Sequence, residues 1–230
     1  MNPDWWDLIP AALGAVLGAG AASIPAFLLA RRASSEVLER DRIARREVIE
    51  VAALSALGKL VAIVNRLNEI QTTLERQLER AEELGLEDTH LFKRIVGIIG
   101  VYDEIRFAPE EISLFATHDL EYFQRLTGLI TSYSTVIALL NDYTDRRRRL
   151  TDQVEATMQG RVGSLKITDA EAARHEPRAV ELELQIRDIR ERLVRDRRDA
   201  IEVAELFGPK VREYLGTQNF PLLTFRSAEE

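Results

Sequence analysis

The sequence predicts an all-α fold: a single N-terminal transmembrane helix, then an elongated antiparallel helical bundle built from long, coiled-coil-like helices. Three observations carry that expectation. Residues 8–30 form a run of 23 without one charged side chain. Beyond it, apolar residues recur at three- and four-residue spacing over long stretches with few glycines or prolines, the period of a helix with one buried face. No segment alternates apolar and polar residues in the manner of a half-buried strand.

The first element is the membrane helix. At the helical rise, such a run extends about 34 Å, enough to cross a hydrocarbon core of about 30 Å. It is preceded by Asp4, Trp5, Trp6 and Asp7 rather than by the basic segment of a cleavable signal, so it reads as a retained anchor. Trp5 and Trp6 occupy the place of an interfacial aromatic pair. Arg31 and Arg32 follow the run at its other end, with Arg40, Arg42, Arg45 and Arg46 behind them. That arginine excess predicts an external N-terminus over 1–7, a span over 8–30, a cytoplasmic bundle over 31–215 and a tail over 216–230, all in the cell (inner) membrane. Within the run, Gly14, Gly18, Ala22 and Ala26 recur every fourth position. Two helices approach closely along such a face, which predicts a homodimer.

The next element spans Ser34 to Leu84, with Leu60, Ile63, Leu67, Ile70, Leu74 and Ala81 on one stripe that Leu57, Val64 and Leu78 widen. A wide stripe belongs to a helix buried in a bundle. The densely charged opening, Glu36 to Glu50, reads as a solvated stretch. Gly85 ends this helix, and Asp88 with Thr89 is expected to cap another running to about Phe107 through Ile95, Val96, Ile98 and Ile99. Pro109 followed by Glu110 and Glu111 marks a new start, the carboxylates lying at the positive end of the helix dipole. A long helix is expected from about Asp119 to Gln159, carrying Phe123, Leu126, Ile130, Tyr133, Ile137, Leu140 and Leu150 on its buried face. Gly160 and Gly163 mark a loop, and Thr168 with Glu171 forms a capping box. Pro177 is expected to restart a helix with Leu182, Ile186, Ile189, Leu193, Ala200, Ala204 and Phe207 buried. Gly208 and Pro209 are expected to bend or end it before a last turn over 211–215. The tail is expected to dock loosely through Phe220, Leu222, Leu223 and Phe225.

Composition narrows the function. With 31 basic against 38 acidic residues, the net charge of −7 opposes general binding to nucleic acid, which needs surplus cationic charge. Cysteine is absent, which excludes disulfides, thiolate metal clusters and a cysteine nucleophile. All basic residues except Lys59, Lys93, Lys166 and Lys210 are arginine, a bias that points to a GC-rich bacterial source.

Candidate chemistry is sparse. His90, His118 and His175 are the only histidines, and no Glu-x-x-His occurs, so the ligand set of a helical dimetal site is missing. The acidic cluster of Asp103, Glu104, Glu110 and Glu111 is explained by helix-start electrostatics. Arg146 to Arg149 ring their helix rather than line one face, and together with Arg192, Arg195, Arg197 and Arg198 they have Asp142, Asp145, Asp152, Asp196 and Asp199 as near partners. There is no phosphate loop or nucleophile elbow. No catalytic, cofactor or metal residue is therefore nominated. The expectation is a non-enzymatic, membrane-tethered scaffold or adaptor whose partners are the lipid bilayer, a second copy and an unidentified cytoplasmic protein. The alternative is a transmembrane signalling or gating subunit.

Overall fold

The computed structural model describes the backbone of residues 5–95, 103–155 and 169–225, with side chains described from Arg31 onward except at 33, 153–155 and 169–172. All regular structure among these residues is helical: α1 (Trp5–Glu83), α2 (Leu91–Arg94), α3 (Pro109–Ser113), α4 (Leu120–Glu155) and α5 (Asp169–Leu215). The chain divides into two units, Met1–Val51 and Ala52–Glu230.

In the first unit the backbone of residues 5–51 is helical. The run 8–30 expected to span the membrane has its side chains outside the described residues, and with them Trp5, Trp6, Gly14, Gly18, Ala22 and Ala26. Among the described residues no helix is long and apolar enough to cross a membrane.

The second unit is a helical bundle whose core comes from α1, α4 and α5. Leu60, Ile63, Leu67, Ile70 and Leu74 of α1, Leu126, Tyr133, Ile137 and Leu140 of α4, and Leu182, Ile186, Ile189, Leu193 and Phe207 of α5 are all buried. Each of those residues lies on its predicted stripe. Burial of this kind contributes about 1.5–3 kcal/mol per large aliphatic or aromatic side chain, far more than helix propensity supplies. α4 and α5 run antiparallel. Tyr122 donates its hydroxyl to the Val203 carbonyl, Ser132 meets Asp196, and Arg146 meets Glu181, so position rises along one helix as it falls along the other.

Local chemistry sets the boundaries. Gly85 has a φ of 70°, and its amide and that of Leu86 donate to the carbonyls of Glu82 and Ala81 at 2.9 Å each. This pattern closes α1 where a Cβ would be strained. Asp119 caps α4, its Oδ1 accepting the Tyr122 amide at 2.9 Å. Pro109 opens α3.

Several boundaries depart from the sequence expectation. Of the helix expected from Asp88 to Phe107, Leu91–Arg94 is helical, Ile95 is extended and residues 103–108 are not helical, while Val96, Ile98 and Ile99 lie outside the described residues. Arg147 Nε donates to the Phe92 carbonyl at 2.9 Å and the Tyr143 hydroxyl to the Ile95 carbonyl at 3.1 Å. These α4 side chains hold the end of α2, where Ile95 turns extended with φ −99° and ψ 101°. Thr89 does not cap: its hydroxyl donates back to the Leu86 carbonyl at 2.7 Å, and His90 takes the N-cap position without a side-chain bond. Pro177 does not restart a helix but lies inside α5. The carbonyl it deprives of a donor belongs to the exposed Ala173, where water can serve instead. Pro209 does not end the helix either: it lies within α5, which includes the expected last turn to Leu215 across the buried Phe207 and Val211. The loop at Gly160 and Gly163 and the Thr168 cap lie outside the described residues.

The tail packs by a specific device. Phe220 is buried, the Arg212 guanidinium donates to its carbonyl at 2.7 Å, and the Phe225 amide donates to Glu205 at 2.9 Å. Gly208 admits this segment: a Cβ there would stand 2.5 Å from the Pro221 carbonyl oxygen and 2.9 Å from Leu222 Cδ2. Of the four tail residues expected to dock, Phe220 is buried, Leu223 and Phe225 are half-buried and Leu222 is exposed.

Candidate functional site

Two kinds of surface compete for a functional role, an exposed helical face in the first unit and polar clusters in the second. From Arg31 to Val51 every described side chain is exposed except Ile49, which is half-buried. Val37, Leu38, Ile43, Val48 and Val51 are each between 54% and 67% exposed. Val37, Ala44, Val48 and Val51 are spaced by seven, four and three residues, which puts them on one side of the helix. Arg31 and Arg32, the predicted interface arginines, are exposed. Arg32 Nε lies 3.7 Å from Glu36, an exposed pair of little energetic weight.

In the second unit the predicted acidic cluster separates. Glu104 is a surface group paired with Arg106 at 3.1 Å, whereas Glu111 is only 4% exposed. Lys59 Nζ donates to both oxygens of Glu111 at 2.7 and 2.6 Å, Ser55 Oγ donates at 2.5 Å, and the Ala108 amide donates at 2.6 Å. Burial alone pushes this carboxyl upward. The hydrogen bonds from Lys59, Ser55 and Ala108, with the lysine charge, outweigh it and hold the group below the ordinary carboxylate value. With every acceptor position engaged, Glu111 clamps α3 to α1 rather than offering a free base.

Asp196, 2% exposed, is the other buried carboxylate among the described residues, held by Ser132 Oγ at 2.5 Å and Arg195 Nε at 3.2 Å. It borders a cleft of about 240 Å³ with Arg125, Gly128 and Asp199. A second cleft of about 330 Å³ lies between α4 and α5, lined by Asp142, Arg146, Arg149, Arg178 and Glu181. Arg146 is paired there with Asp142 at 2.8 Å and Glu181 at 3.4 Å, and its hydrogen bond is the main cause that keeps Asp142 below the usual carboxylate range. A third, of about 270 Å³, contains His118, Asp119, Lys210 and Tyr214. Lys210 and Asp119 are paired at 2.5 Å, each stabilising the other's charged form.

The arginine run does not act as a unit. Arg146 is in the ion pairs just described, whereas Arg147 turns inward to the Phe92 carbonyl, where burial lowers its ordinary pKa. Beside it, burial pushes the Tyr143 hydroxyl up to about 12. The histidines are scattered: His90 stacks on Phe92 with ring centroids 5.9 Å apart, His118 lies 4.6 Å from the Tyr214 ring, and His175 is half-buried on α5. Among the described residues no three His, Asp or Glu side chains converge as a metal-binding group. Sequence reasoning missed the Ser55–Lys59–Glu111 clamp. Its one local signal is a lysine and a serine four apart beside a core stripe.

No protein-family model matches the chain, and comparison with curated proteins and with solved structures finds no match.

Proposed function

We propose that this protein is a membrane-tethered, non-enzymatic helical scaffold that works through protein–protein interaction, with a second copy of itself and a cytoplasmic protein as partners. The carrying observation is the helix over 31–51, which leaves five large aliphatic side chains in water. Most helical stability in proteins comes from packing an apolar face rather than from propensity, and a partner would cover those groups. The uncharged run 8–30, flanked by Trp5 and Trp6 on one side and Arg31 and Arg32 on the other, supports a tether in a bacterial inner membrane, with the N-terminus outside and the bundle in the cytoplasm. Gly14, Gly18, Ala22 and Ala26 support self-association within the bilayer. Confinement to a membrane raises effective concentration, so weak contacts suffice for such a role.

The test combines topology with crosslinking. Reporters fused before Trp5 and after Glu230 are expected to report opposite sides of the membrane, and carbonate washing is expected to leave the chain in the pellet; release into the supernatant overturns the tether. Because the chain has no native cysteine, a single Val48→Cys substitution reads self-association directly. A crosslinked dimer weakened by Gly14→Leu and Gly18→Leu is expected, and a chain that stays monomeric overturns the homodimer.

A second reading, a signalling or gating subunit, is favoured by one feature. α1 runs from Trp5 to Glu83, and the uncharged run 8–30 lies within those bounds. That reading requires two populated states. A cysteine-crosslink pattern along α1 that is identical under all conditions would sink it.

A further inference from the structure

We draw no further inference here: the strongest candidate, the exposed stripe of Val37, Ala44, Val48 and Val51 on the helix of the first unit, carries nothing beyond the reading above because nothing in the structure shows what covers it.

Discussion

The helix over 31–51 and the helices of the bundle are written in similar residues, yet they differ in what their aliphatic groups touch. Val48 and Val51 stand in solvent, whereas Leu60 and Ile63, about three turns further along α1, are fully buried. The difference is one of partners, since helical propensity alone is similar across the two stretches. A stripe is stabilising only where the rest of the fold supplies an opposing surface. The ion pairs differ in the same way: Arg32 and Glu36 in the first stretch are both exposed, whereas Lys59 in the second meets the buried Glu111.

The largest expected effect separates the two regions directly. Leu60→Ala or Phe207→Ala removes a fully buried side chain and is expected to cost about 3–5 kcal/mol, read as a lowered denaturation midpoint. Val48→Ala should change that midpoint by less than about 0.5 kcal/mol. Equal losses at Leu60 and Val48 would mean that the first stretch is packed after all.

Next is the α3 clamp. Lys59→Met leaves Glu111 buried with one charge uncompensated, and a loss of about 1–3 kcal/mol is expected, reduced because Lys59 itself is partly exposed. Hydrogen exchange at 108–113 should rise more than exchange in α4. Uniform acceleration across the bundle would contradict a local clamp.

Gly208→Ala introduces a methyl group against backbone that cannot swing aside, and about 1–3 kcal/mol is expected from overpacking. Its signature is loss of the tail, seen as faster exchange at the Phe225 amide, with the α1 core unchanged. A neutral Gly208→Ala would show that the tail does not depend on this close approach.

The pH response is smaller and has a defined sign. Glu111 is held below its ordinary value of 4.5, so the folded state binds fewer protons than the unfolded state between the two values. Its contribution is therefore present above about pH 4.5 and lost as pH falls through the folded value. Protection of the Ala108 amide should be constant from neutrality to about pH 5 and drop below about 4.5, with Glu111→Gln abolishing the step. A step near neutrality would implicate another group. The smallest effect is expected at Arg32→Ala, where removing a pair at 3.7 Å between exposed groups should leave stability unchanged within measurement.

Much of the bundle was legible because periodicity is a local property. Leu60 to Ala81 on α1 and Leu182 to Phe207 on α5 were read as buried stripes, and the ends at Gly85 and Asp119 follow from left-handed backbone and side-chain capping, which single residues encode. The expected α4 face was partly offset. Phe123 and Ile130 are half-buried, while Tyr122, Leu129 and Tyr143, outside the predicted stripe, are buried. Periodicity gives a face to within one residue on either side, and the neighbours select which of them is covered.

What the sequence by itself determined is the helical class, the core stripes of α1 and α5, the absence of thiol chemistry and the net negative charge, because each depends on residue identity and spacing alone. Tertiary structure alone decided that the helix after His90 stops at Arg94, that α5 runs through Pro177 and Pro209, and that Glu111 is clamped while Glu104 stays at the surface. For the first and the third the group involved lies far along the chain: Arg147 for the Phe92 carbonyl and Lys59 for Glu111. Short-range preferences of about 1 kcal/mol or less yield to such contacts, and spacing along a sequence does not say which distant group will arrive.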